Sequence, residues 1–261
     1  MKKKGLLLGC IILLMFSLTG CIDKEERAKG NEDLRKGREL VMEYVKDTYG
    51  NDAKVSDIDA FYIRRTYDSV IPSYAKMASG FLKATVSIND TNFDMLYHVN
   101  TGEVLTKENV PAIKEGFLTQ VNKTLGTVNF KQCSMRIYTV DIKDPEIEQY
   151  ISPDITTYQE LLEAGGYVLE LTFRSTAQDL PAEEQWRKVN DLFTGENIET
   201  QVYLLFVNYK DEAGLKEEEN TNYYSYTKHL DSYAEKEGAM KNIDNMVYIN
   251  LYGDIQVIHG K

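Results

Sequence analysis

Ser73 and Lys76 stand three residues apart, Cys133 is the lone thiol beyond residue 21, and the histidines are His98, His229 and His259. From these side chains any nucleophilic or metal chemistry would have to be built. On a helix, a lysine at i+3 sits over a serine and can take its proton, which is the chemistry of an acyl-enzyme. The histidines are far apart in sequence, and none has a second His or Cys at metal-ligand spacing. Cys133 alternates in phase with Met135 and Ile137, which places it on the apolar side of a strand rather than in a reactive setting. Acidic residues gather at Asp57 and Asp59 and at Glu217-Glu218-Glu219, but no calcium-loop pattern with its turn glycine occurs, so they read as solvated charge. No metal and no cofactor is expected.

The Ser73-Tyr74-Ala75-Lys76 stretch resembles the S-x-x-K element of serine penicillin-binding proteins and related acyl-enzymes. That family also uses S-D-N and K-T-G elements. Neither is present, since Lys123-Thr124 is followed by Leu125. Ser73 also follows Pro72 in an unpatterned stretch where the family has a helix start. Acyl transfer through Ser73 and Lys76 is therefore kept only as an alternative to a non-catalytic reading.

The chain is rich in tyrosine, with 18 residues, and Tyr223-Tyr224-Ser225-Tyr226 is the densest point. Tyrosine offers rigid area and a hydroxyl, which suits recognition of protein or glycan. Tyr223, Tyr224, Tyr226 and the single tryptophan, Trp186, are the candidate binding residues.

At the start of the chain Lys2, Lys3 and Lys4 precede an apolar run over 6–18, too short for a mature membrane span and right for a secretory leader. The run ends in Leu18-Thr19-Gly20-Cys21. This resembles the lipobox of bacterial lipoproteins: a branched residue, two small residues, then the cysteine that receives a diacylglyceryl group and becomes the new N-terminus. The resemblance implies that residues 1–20 are removed, that Cys21 is lipidated, and that the body is held on the extracytoplasmic face of the cell membrane. Cys10 would leave with the leader, so Cys133 has no intramolecular disulfide partner. An exported chain without a disulfide suits a Gram-positive surface.

Loss of the three lysines takes the formal net charge from −11 to −14. That balance argues against nucleic acid and against a body lying flat on anionic lipid. Residues 21–33 are mostly charged and polar and read as a solvated tether. Leu34, Val41, Val45 and Thr48 then recur at helical spacing, with Gly50 as the stop. Residues 54–63 read as a strand, 66–79 as a loop, and 80–88 with 93–99 as an antiparallel hairpin with one wet face that carries His98. Over 34–105 this order resembles cystatin-like and NTF2-like modules. Val110, Ile113, Phe117, Val121 and Leu125 form a helical stripe, capped by Glu108 or Asn109 and closed by Gly126.

Asp144-Pro145 and Ser152-Pro153 suggest a seam, giving subdomains over 34–143 and 155–261. In the second, Thr157 and Glu160 have capping-box spacing ahead of a helix stopped by Gly165-Gly166. A strand follows from Tyr167, then a helix with Trp186, Val189 and Phe193 inside and Gly195 at its end. Residues 202–207 are apolar on both faces and mark a central strand. Residues 211–222 read as loop, and the chain closes in a hairpin around Gly253-Asp254. The fold class is α+β, two small subdomains of antiparallel sheet packed with helices. The expected role is binding, to another envelope protein or a wall-associated ligand, with a solute-binding lipoprotein of a transporter as the first alternative.

Overall fold

The computed structural model describes residues 22–67, 73–126, 129–139, 149–176, 181–217, 242–250 and 253–259. Two compact units divide between Glu108 and Asn109. The seam expected at 143–155 is thus displaced: the helix and strand before it, 110–139, build the second unit. The two α+β units are organised differently.

Unit 1 opens with α1, Lys24–Tyr49. Residues expected to form a tether are therefore helical from Lys24 onward. The buried stripe is Glu26, Gly30, Gly37, Val41 and Val45, which keeps the helical period although its first three members are not apolar. The glycines permit close approach. A Cβ on Gly30 would lie 2.2 Å from the Tyr62 hydroxyl, and one on Gly37 would lie 2.7 Å from both Leu82 Cδ1 and Val99 Cγ2.

Beneath the helix runs a four-stranded antiparallel meander in order β1-β2-β3-β4: Lys54–Tyr67, Ser73–Ile88, Thr91–His98 and Val104–Thr106. The stretch expected as a loop at 66–79 is mostly strand, because β1 and β2 continue pairing out to Tyr67 and Ser73. The β2–β3 turn has Asn89 and Asp90 both at positive φ, 47° and 65°, which is the backbone a two-residue hairpin demands. Leu82, Ala84, Val86 and Met95 are fully buried with Val41 and Val45, so the alternation expected for this hairpin holds on the helix side. The opposite face is not wholly wet, since Phe81 and Leu96 on it are also buried.

Unit 2 begins with α2, Val110–Leu125, whose five buried residues are the expected stripe. Asn109 occupies the cap position, but its side chain instead donates to the Pro153 and Ile155 carbonyls. The five strands are β5 Gln132–Thr139, β6 Tyr167–Ser175, β7 Gln201–Tyr209, β8 Ile243–Ile249 and β9 Ile255–His259, in that spatial order. All neighbours are antiparallel except β6 and β7, which are parallel. A parallel pair needs a crossover. It is supplied by α4, Glu183–Asp191. That helix ends before Gly195, the stop expected from the sequence. Between β5 and β6 lies α3, Tyr158–Glu163, with the expected capping box of Thr157 and Glu160. After β7 comes α5, Glu212–Glu217, where the sequence read as loop.

The central position of β7 explains its doubly apolar sequence. Val202, Leu204 and Phe206 face a core shared with α2, α3 and α4, while Leu205, Val207 and Tyr209 face a second cluster with Leu215 of α5. The meander of unit 1 and the crossover sheet of unit 2 have different connectivity, so the halves are not two copies of one topology.

Candidate functional site

The arrangement with the clearest consequence for function is the seat of the N-terminal segment on β2. Among the described residues this strand pairs with β3 only from Phe81 to Ile88, and its edge over 73–79 has no named strand on that side. Ile22 covers part of that edge through a parallel bridge to Lys76. Asp23 then caps α1 by accepting from the Glu26 amide at 2.8 Å. One turn on, the Glu26 carboxylate accepts the Ala78 amide at 2.8 Å and the Lys29 ammonium at 2.8 Å. A side chain thereby does for Ala78 what a strand carbonyl would otherwise do. The Lys29 hydrogen bond first, and the Ala78 amide second, hold the Glu26 carboxyl below the usual glutamate range.

Arg64 and Lys76 are directly opposite each other across the β1–β2 ladder at this same end. Arg64 is exposed and Lys76 half-buried, while Lys24 and Arg27 are exposed in the first turn of α1. Of these cations, Lys76 is bridged to Ile22, Arg64 pairs with Lys76 across the ladder, and Lys24 and Arg27 lie in the first turn of α1. Cys21 itself lies outside the described residues.

The other expected site residues fare variously. Ser73 and Lys76 fall within β2, and a spacing of three along an extended strand puts the two positions on opposite faces. The helical overlap that acyl transfer would need does not exist there. The Ser73 side chain lies outside the described residues. Trp186 is 3% exposed and its ring centroid is 4.5 Å from that of Phe206, so it belongs to the core and offers no indole to a ligand. That corrects its place among the binding residues. Tyr223, Tyr224 and Tyr226 lie outside the described residues, as do His229, the His259 side chain and 218–219.

Cys133 packs against the core of unit 2, and burial pushes its thiol up to about 12, which keeps it a neutral, unreactive thiol at physiological pH. His98 is half-buried, its ring edge-on to Phe81 at 4.8 Å, and its Nδ1 is 2.9 Å from the Thr101 hydroxyl, tying down the Asn100-Thr101-Gly102 turn. Asp57 and Asp59 are exposed beside a bulge in β1, where Asp57 has a φ of 52°. Among the described residues no three His, Cys, Asp or Glu side chains converge as a metal site would require.

Two features of unit 2 escaped the sequence reading. The first is a buried polar row across β6, β7 and β8 at the carboxyl ends of the parallel pair. Ser175 donates to Asn208, and Asn208 donates to Asn245. All three are at most 5% exposed. Beside them on the other sheet face, Arg174 donates to Ser134, and Arg136 contacts Glu170 at 3.4 Å. Only Asn208, interrupting the apolar run of β7, hinted at the row. The second is a cavity of about 290 Å3 where α4 turns into β7, lined by Asn190, Phe193, Ile198, Gln201, Ile249 and Asn250 among others. Among the described residues no tryptophan or tyrosine lines it.

No protein-family model and no curated protein matches the chain. Among solved structures, a DUF5037 family protein from Ruminococcus gnavus ATCC 29149 is similar over 80% of this chain and 89% of its own, at 10% identity and a TM-score of 0.35. Among the described residues no helix is long and apolar enough to cross a membrane.

Proposed function

We propose that this protein is a lipid-anchored binding protein of the extracytoplasmic membrane face, non-catalytic, presenting its folded body to another envelope protein or a wall-associated ligand. The observation that carries the reading is the Leu18-Thr19-Gly20-Cys21 sequence behind a lysine-rich start and a short apolar run. A thioether-linked diacylglyceryl group on Cys21 would replace the first twenty residues and hold a body of net charge −14 at a bilayer. One acyl-bearing modification needs a second contribution for stable attachment, and the two chains of a diacylglyceryl group supply it. The part-buried Cys133, its thiol pushed up to about 12, and the strand setting of Ser73 and Lys76 supply no activated nucleophile in support of an acyl-transfer role.

A second reading, solute binding for a transporter, draws on the cavity beside α4, whose size is at the lower limit for a small ligand. Mass spectrometry of the membrane-extracted chain tests the anchor. An N-terminal Cys21 carrying diacylglycerol is expected, and an intact Met1 or an unmodified Cys21 would remove the address. Crosslinking in intact cells tests the binding role. Turnover of an ester or wall-derived substrate by the purified chain, abolished by Lys76→Ala, would replace it with catalysis.

A further inference from the structure

We propose that the cavity where α4 turns into β7 binds a small organic cation, an ammonium group carried on a compact apolar body. The inference rests on the second reading above, solute binding, and names the class of solute.

The first argument is the shape of the lining. Phe193, Leu204 and Ile249 give it an apolar floor, and each of them belongs to the core of unit 2. The floor is held in place from behind, since the Phe193 ring stacks on that of Phe117 at 5.8 Å. Above it stand three polar side chains, Asn190, Glu199 and Gln201. Among the described residues none of the three has a hydrogen-bond partner for its side chain, so each is available to a ligand. An apolar wall with a few convergent polar groups is the usual make-up of a small-molecule site. A water molecule takes about 30 Å3 of liquid, so a cavity of about 290 Å3 has room for about ten non-hydrogen atoms.

The second argument is preorganisation. The Glu199 and Thr200 amides both donate to the Leu162 carbonyl at 3.0 Å, and the Thr200 hydroxyl donates to the Leu161 carbonyl at 2.7 Å. The backbone that carries Glu199 is thereby fixed to α3. Its carboxylate lies against Gly165, where a Cβ would come within 2.8 Å of Oε2. On the opposite wall the Asn190 carboxamide lies against Gly253, where a Cβ would come within 2.7 Å of Nδ2. Both glycines are at positive φ, 64° and 80°, so the bare backbone on which each polar group rests is a requirement of its turn.

The third argument is charge. Among the described residues Glu199 is the charged member of the lining, and no basic side chain joins it. A ligand carboxylate or phosphate would meet this charge with nothing to balance it, whereas an ammonium pairs with it. The acidic balance of the whole chain, −11, also draws cations toward the mouth.

The test titrates three probes of nearly equal size, benzylamine, benzyl alcohol and benzoate, into the 15N-labelled 22–261 chain at pH 7. The side-chain amide signals of Asn190 and Gln201 are followed by NMR. Benzylamine should shift both, benzyl alcohol should bind about three- to fivefold more weakly because Glu199 is exposed, and benzoate should leave both unmoved. Added salt should weaken benzylamine and spare the alcohol. Glu199→Gln, at an exposed position that the fold does not depend on, should bring benzylamine down to the level of the alcohol and leave the alcohol unchanged. Benzoate binding as well as the amine, an amine no better than the alcohol, or an amine indifferent to Glu199→Gln overturns the cation class and leaves the cavity a solute site. Silence of both signals with all three probes overturns the class and the solute-binding reading together.

Discussion

Replacing Glu26 by alanine removes the group that fastens the start of α1 to β2. Two interactions go. The Ala78 amide loses a charged acceptor at 2.8 Å, in a place where the Glu26 side chain is only 11% exposed. A hydrogen bond to a charged group contributes about 1.5–3 kcal/mol, and an amide left without a partner in a shielded place adds to its loss. The pair with Lys29, whose side chain is 52% exposed, adds little. Glu26→Ala should therefore destabilise unit 1 by about 2 kcal/mol. Glu26→Gln, which keeps an acceptor oxygen but not the charge, should cost about half of that.

The assay is urea denaturation of the lipid-free 22–261 chain, followed by amide hydrogen exchange, because Trp186 reports only on unit 2. The Ala78 amide should lose protection in Glu26→Ala. The pH dependence gives a further check. The folded-state pKa of Glu26 is depressed, so its contribution is fully present above the ordinary glutamate value of about 4.3 and is lost as pH falls through the folded value. The gap between wild type and Glu26→Gln should then narrow in acid. A Glu26→Ala change below about 0.5 kcal/mol, with Ala78 still protected, would refute the claim that this carboxylate stands in for a strand.

Gly37→Val should destabilise unit 1 by about 1–3 kcal/mol in the same urea titration despite its better helix propensity, since its Cβ would meet Leu82 and Val99 at 2.7 Å. Trp186→Ala should lower the stability of unit 2 by about 3–5 kcal/mol, measured by far-ultraviolet circular dichroism in urea, because it opens a hole against Phe206. Asn208→Leu should cost about 1–3 kcal/mol by removing the partner that Ser175 and Asn245 share, and a near-neutral result would show that the row contributes nothing to folding. Cys133 should react with a thiol reagent at pH 8 only after urea is added, and rapid labelling of the native chain would contradict the burial that pushes its thiol up to about 12.

Where burial is apolar and periodic, the fold was legible. The stripe from Val110 to Leu125, the alternation from Leu82 to Val86, the capping box at Thr157 and the two-faced run of β7 each announced themselves through side-chain type alone. The misreadings share a cause. Residues 24–33 read as a tether because the helix buries its first turns through Glu26 and Gly30, which carry no apolar signal, although 26, 30, 37, 41 and 45 keep the helical period. The outer ends of β1 and β2 read as loop because residues 66–79 carry Pro72 and little apolar alternation, although the ladder runs on to Tyr67 and Ser73. The seam was sought at prolines, whereas the division at Glu108 comes immediately before a helix start with no break in composition. Of the proposed site, the Cys21 anchor rests on local sequence alone. The cationic end was not legible, because Arg64 and Lys76 meet only through strand register, which no local pattern specifies.

The single parallel pairing in unit 2 also bears on how the chain folds as it emerges. Unit 1 needs only short-range closures, since each of its strands pairs with the next in sequence. Joining β7 to β6 must instead await the whole α4 crossover, and the far edge of β7, with Leu205 and Val207, stays open until β8 arrives some thirty residues later. A nascent chain halted in that interval presents a naked, strongly hydrophobic ribbon edge, the kind that joins to its copies. Truncations ending before Ile243 should therefore aggregate while those ending at Glu108 stay dispersed, which makes the last two strands the seal that completes the molecule.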